Sequence, residues 1–228
     1  MKDFSKFEEG LGIYFENKGL LMQAFIHRSY LNEHSDTGLD HNERLEFLGD
    51  AVLELIVTEY LYNKYDNPEG DLTSWRAALV NSKMLSKIAS DLNFNEYILL
   101  SKGEAKDTGR ARQYILANAV ESIIGAIYLD KGFETAKEFI TKNIIKELPA
   151  VLKNKLYRDP KSTFQEQAQD RVGITPTYGV IEESGPDHDR HFVVGVYLEE
   201  ELVAEGGGSS KQEAQEGAAQ KALEVKGW

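Results

Sequence analysis

Residues 42–50 read Asn42-Glu43-Arg44-Leu45-Glu46-Phe47-Leu48-Gly49-Asp50, and the run continues Ala51-Val52-Leu53-Glu54-Leu55-Ile56. The periodicity predicts a helix. At about 100° per residue, Glu43, Glu46, Asp50 and Glu54 fall within an arc of roughly 80°. Leu45, Leu48, Val52, Leu55 and Ile56 are expected on the opposite, core-facing side. Like charges three and four apart cost a helix a few tenths of a kcal/mol per pair. Such a stripe is either a solvated acidic face or a ligand set. No Lys lies between the carboxylates, and Arg44 is the only nearby cation in sequence. Closely spaced oxygens without a cation of their own suit a hard divalent ion such as Mg²⁺.

The flanking sequence is helical on the amino side. Residues 4–34 read as two helices separated by Asn17-Lys18-Gly19, with His27 as a core or capping histidine. Leu72 to Leu92 reads as one helix. Tyr114 to Leu129 is apolar almost all round and predicts a buried central helix. Asn118 and Glu121 interrupt it at i, i+3. A buried carboxylate needs a partner or a cation. Here that is either a hydrogen bond between these two residues or a cation shared with the acidic helix. Phe133 to Leu152 reads as a further helix.

From Lys161 the pattern changes. Ser162 to Val172 reads as a helix, Thr175 to Glu183 as a strand, and residues 184–189 as a turn. Phe192, Val194, Val196 and Leu198 alternate at period two. Glu201 to Glu205 makes a third strand, and Gly206-Gly207-Gly208-Ser209-Ser210 opens a helix over Lys211 to Val225. The triple glycine lacks the Gly-Lys-Ser/Thr ending of a nucleotide loop.

Composition narrows the classes. The chain has 228 residues, no cysteine and a formal net charge of −12. Disulfides, thiolate metal sites and a cysteine nucleophile are excluded. There is no run of eighteen apolar residues and no signal-peptide pattern at the start, which points to the cytoplasm and to no membrane partner. The acidity argues against binding nucleic acid by bulk electrostatics. A carboxylate-bridged di-iron bundle would want Glu-x-x-His pairs, and the sequence has none.

Three signals coincide. Residues 42–50 resemble the signature of the ribonuclease III family. Ile115-Leu116-Ala117-Asn118-Ala119-Val120-Glu121 is similar to that family's second acidic motif. Residues 159–228 resemble a double-stranded-RNA-binding domain. The resemblance covers nearly the whole chain in the right order. It implies a multi-domain protein: an all-α catalytic domain over 1–153, a linker over 154–160, and an α-β-β-β-α domain over 161–228. It implies a Mg²⁺-dependent endonuclease, with Mn²⁺ as a substitute, acting on double-stranded RNA as a homodimer. Each site would cut one strand, leaving a 5′-phosphate and a 3′-hydroxyl, as in rRNA and mRNA processing.

Carried over residue by residue, the metal ligands are Glu46, Asp50, Asn118 and Glu121. Asp50 and Glu121 are the catalytic pair, and Glu43 supports them. Phe47 lies beside the acidic stripe, and in the resembled family the phenyl at this place packs into the partner subunit. Many family members carry Asp where this chain has Asn118, so one negative charge is missing. The alternative reading is a non-catalytic regulatory protein that binds double-stranded RNA.

The RNA-binding candidates are Ser162, Gln165, Gln169, His188, Ser209, Ser210 and Lys211. Residues 159–228 hold six Lys and Arg against fourteen Asp and Glu, a net of −8. Phosphate attraction dominates nucleic-acid affinity. Recognition here would therefore rest on shape and 2′-hydroxyls across the A-form minor groove.

Overall fold

In the computed structural model, which describes residues 2–228 apart from Asp36, Thr37, Asp107 and residues 187–189, the chain divides into Met1–Tyr157 and Arg158–Trp228. The first unit is helical. Its elements are α1 (Ser5–Leu11), α2 (Lys18–Ala24), α3 (Arg28–Glu33), α4 (Glu43–Lys64), α5 (Glu69–Val80), α6 (Ser82–Asp91), α7 (Arg110–Asn143) and α8 (Leu148–Lys153). Short 3-10 turns lie between α6 and α7 and before α8.

Local chemistry sets several boundaries. α1 ends at Gly12, whose φ of 73° is left-handed. Residues 4–34 hold three helices, not two, because His27 caps a third: its ring accepts the Ser29 N–H. The helix expected over 72–92 is two. Asn81 leaves helical geometry at ψ 158°, and its side chain accepts the Met84 N–H, capping α6. α7 changes direction at Gly132, with φ 83° and ψ −178°, before continuing to Asn143. The helix expected over 133–152 is therefore the end of α7, a 3-10 turn and α8.

The core is built where α4 crosses α7. Leu45, Val52, Leu53, Ile56, Val57 and Leu61 of α4 are buried against Leu116, Val120, Ile123, Ile124 and Ile127 of α7. Leu55, expected in the core, is 58% exposed. The buried face is rotated from the expected one, because α7 packs over the side carrying Gly49, Leu53 and Val57. Phe7, Phe25 and Phe94 pack edge to face and Tyr97 packs tilted against Phe7 and Phe25, with centroids 5.0–5.8 Å apart, joining α1 to the segment after α6. Asp130 on α7 accepts the N–H groups of Glu16 and Asn17, each at 2.8 Å, and so holds the turn before α2.

The second unit is α9 (Pro160–Val172), β1 (Thr177–Ser184), β2 (His191–Leu198), β3 (Glu201–Gly208) and α10 (Lys211–Lys226). The sheet is antiparallel in the order β1-β2-β3. Asp159 caps α9 by accepting the Ser162 N–H, Pro160 opens the helix, and Gly173 ends it at φ 72°. Both helices cover one sheet face. Phe164, Val194, Val196, Ala218 and Ala222 are fully buried there.

The triple glycine does not form a loop. It is the end of β3, and α10 lies directly on it. A methyl on Gly206 would come 2.1 Å from the Ala218 nitrogen, and one on Gly208 2.7 Å from the Ala214 nitrogen. No described helix is long and apolar enough to cross a membrane.

Candidate active site

Asn42 anchors the start of α4. Its N–H donates to the Ile26 carbonyl at 2.9 Å, and its buried amide donates to the Ala24 carbonyl at 3.3 Å. Its own carbonyl accepts the Glu46 N–H and stands 3.4 Å from the Ser122 hydroxyl on α7. The two helices meet at glycines. A methyl on Gly125 would lie 2.3 Å from the Leu45 carbonyl oxygen, and one on Gly49 even closer to α7. Backbone-to-backbone contact at this crossing brings Glu46 and Asp50 alongside Asn118 and Glu121.

These four residues form one electrostatic group. Burial, then the charges of Asp50 and Glu46, push the Glu121 carboxyl up to about 8. Burial and then the Glu43 charge raise Glu46, with Asp50 adding to the effect. The Asn118 side chain donates to the Glu46 carboxylate and opposes the rise. Asn118 is thus bonded to Glu46, the residue that the separation of the two motifs in sequence concealed.

Among the described residues, neither Asp50 nor Glu121 has a basic partner within ion-pair distance. Three neighbouring carboxyl groups with no described counter-ion suit an added cation. Their oxygen chemistry suits a hard one. As they stand, no three described Asp, Glu or His side chains converge closely enough to hold a metal ion.

The rest of the acidic stripe is partnered. Glu54 pairs with Arg76 of α5 at 3.2 Å. Glu43 faces Arg28 at 3.8 Å and His41 at 3.7 Å. The cations come from outside the acidic helix, where its sequence could not show them. Glu43 and Glu54 thus differ from Glu46, Asp50 and Glu121.

Phe47 is 81% exposed. It borders a cavity of about 710 Å³ whose other walls include Leu20, Gln23, Arg44, Leu48 and Leu129. In the second unit, Gln165 and Gln169 are exposed on one face of α9, and Gln169 donates to the Thr175 hydroxyl at 2.9 Å. Ser162 donates its hydroxyl to Asp159 at 2.7 Å as part of the α9 cap. Ser210 caps α10, while Glu213 accepts both the Ser209 N–H and its hydroxyl. Lys211 lies over the Phe192 ring at 5.6 Å. His188 lies outside the described residues.

Both units resemble known proteins. A family model described as Ribonuclease-III-like matches residues 17–148, and one described as Double-stranded RNA binding motif matches residues 160–226. A protein named Ribonuclease 3 from Natranaerobius thermophilus is 47% identical over 96% of this chain and 94% of its own. One of the same name from Nitratiruptor is 43% identical over 99% and 97%. The crystal structure of the nuclease domain of ribonuclease III from Campylobacter jejuni is 46% identical, with a TM-score of 0.58. It covers 65% of this chain and is itself covered over 98%. A helical nuclease unit followed by a double-stranded-RNA-binding unit, matched over nearly full length, places this chain in the ribonuclease III family of double-stranded-RNA endonucleases.

Proposed function

We propose that the chain hydrolyses duplex RNA at Glu46, Asp50, Asn118 and Glu121 with Mg²⁺, for which Mn²⁺ substitutes, and that it works as a homodimer in the cytoplasm. The observation that carries the site is the Glu121 carboxyl, raised to about 8 beside Asp50 and Glu46 with no described cation to neutralise it. When bound, such an ion lowers the pKa of water, orients it and neutralises charge on the leaving oxygen.

The chain's own residues supply the rest. The glycine crossing holds the two acidic motifs together. Asn118 keeps Glu46 turned toward the group by its donated hydrogen bond. Arg76 and Arg28 keep Glu54 and Glu43 out of the ligand set by pairing with them. Gln165, Gln169 and Lys211 are the groups through which the second unit meets the duplex. Ser209 and Ser210 fix the α10 start that carries Lys211. Hydroxyl and amide contacts fit an A-form minor groove despite the unit's acidity.

The dimer reading rests on Phe47 and the neighbouring cavity. An exposed phenyl beside a recess whose apolar walls are Leu20, Leu45, Leu48 and Leu129 suits a self-complementary contact under a two-fold axis. One of the Campylobacter jejuni nuclease-domain structures is described as flexible in a region involved in dimer formation.

The deciding experiment is cleavage of a long RNA duplex with and without Mg²⁺, reading the end groups of the products. Metal-dependent cutting to 5′-phosphate and 3′-hydroxyl ends is the expected result. Asn118, neutral where many relatives carry a charge, favours the second reading, a binder that does not cut. Retention of duplex without cleavage at any Mg²⁺ or Mn²⁺ concentration would establish it.

A further inference from the structure

The sheet of the second unit has two unlike faces. Val194 and Val196 point into the helices and are fully buried. Val193, Gly195 and Tyr197 between and beside them point the other way. The register carries this outer face across the strands. Val193 stands opposite Glu182, Gly195 opposite Glu205, and Tyr197 between Thr177 and Leu202. A methyl on Gly195 would meet Leu202 Cδ1 at 2.8 Å, Ile181 Cδ1 at 2.9 Å and Tyr197 Cε2 at 3.0 Å. Three apolar side chains therefore close over the Gly195 backbone and present one continuous apolar patch. Ile181 reaches it because β1 carries an extra residue between Val180 and Glu182. Ile181 and Leu202 are 46% and 43% exposed.

The rim of this patch is acidic. Glu182 and Glu205 flank it on the outer face, and Glu199 and Glu200 form the β2–β3 turn. None of these four has a basic partner among the described residues. The nearby Glu183 and Glu201 are paired, with Arg190 and Lys226. The three strands contain no Lys or Arg. The groups assigned to RNA stand on α9 and at the start of α10, which pack on the opposite sheet face. Part of the unit's negative charge is thus gathered on the side away from the duplex.

We propose that this outer face docks a basic, apolar-containing segment of another protein while the helical side holds RNA. The exposed faces of Ile181 and Leu202 would meet the partner's aliphatic side chains, and the glutamate rim its Lys and Arg. Charge decides among occupants. A second copy would bring two acidic rims together, and a nucleic acid would be repelled.

The test uses the full chain and a fluorescent peptide of alternating lysine and leucine, with an alternating glutamate and leucine peptide as control. The lysine peptide is expected to bind and the glutamate peptide not. The Ile181→Thr/Leu202→Thr variant keeps strand-forming residues and is expected to weaken binding about ten-fold or more. Glu182→Gln/Glu205→Gln leaves the apolar patch intact and should weaken binding several-fold while flattening its salt dependence. A short RNA duplex in Ca²⁺ should bind wild type and both variants alike, and should not displace the peptide. Equal peptide affinity for wild type and variants overturns the proposal. So does displacement by RNA, which would put the surface on the RNA side. Concentration-dependent self-association that the Ile181→Thr/Leu202→Thr variant abolishes overturns it in favour of a second copy.

Discussion

A methyl group placed on Gly49 would stand 1.7 Å from the carbonyl oxygen of Glu121. No side chain fits there, so the spacing of α4 from α7 is the spacing of two bare backbones. Gly49→Ala should therefore push the helices apart. Overpacking of this kind costs about 1–3 kcal/mol. The Tm should fall, and the Mg²⁺ concentration for half-maximal cleavage should rise, because Asp50 and Glu121 separate. Thermal melts with Mg²⁺-titrated cleavage check both effects. An unchanged metal requirement would show that the crossing does not set the site.

Asn118→Asp adds a charge where the chain has a neutral oxygen, and removes the amide that donates to Glu46. With Mg²⁺ present, the half-maximal concentration should fall while the saturated rate changes less. Without metal, repulsion within the group should lower the Tm. Coincident Mg²⁺ titrations for wild type and variant would remove Asn118 from the ligand set.

The Glu121 carboxyl yields a pH prediction with a definite sign. Its folded value of about 8 lies above the ordinary 4.5. Between these values the folded state holds a proton that the unfolded state has released, so this group's contribution falls as pH rises through the window. Metal-free Glu121→Gln, which cannot ionise, should lose less stability than wild type between pH 5 and pH 8 by this reasoning. Denaturant melts at the two pH values read the difference. Parallel loss in both proteins would show that Glu121 does not carry this dependence.

Phe47→Ala should convert a dimer to a monomer. Truncating a buried aromatic costs roughly 3–5 kcal/mol in a core-like setting, and a two-fold interface loses it twice. The exposed phenyl contributes little to the single subunit, so the Tm of the monomer should hardly move. Sedimentation velocity at micromolar protein decides it. A wild-type monomer would remove Phe47 from any interface.

At the start of α10, Glu213 places a carboxylate where phosphate would bind. Glu213→Gln keeps an acceptor for Ser209 and removes the charge. Duplex affinity in Ca²⁺ should rise several-fold at low salt, a gain screened out as salt increases. Gel shifts across a salt series check this, and unchanged affinity would place the phosphate elsewhere.

Much of this was legible in the chain. Periodicity found α4 and the buried part of α7, and the order of strands in the second unit was plain. What escaped notice depends on partners distant in sequence. Glu54 belongs to the acidic stripe in sequence, but Arg76 of another helix neutralises it. Leu55 satisfied the helical pattern yet faces out, because the direction from which α7 approaches was not in that pattern. Leu53 and Val57, within roughly 20° of Glu46 around the helix, are what α7 covers. Their burial also explains why Glu46 is half-buried. The third strand was expected to end at Glu205, with glycines 206–208 opening the helix, because close approach of a helix to a strand leaves the same residue type as a turn.

The clamp of Asp130 on Glu16 and Asn17 has a consequence for the order of events at the ribosome. The carboxylate and its first partner are separated by 114 positions. α1 and α2 are thus synthesised long before the group that fixes the turn between them. At ordinary translation speeds that interval is on the order of ten seconds. Phe7 and Phe25, buried in the finished molecule, must wait through more than half of it before Phe94, and then α7, can cover them. The amino-terminal helices are therefore the stretch for which a chaperone at the tunnel exit would matter most.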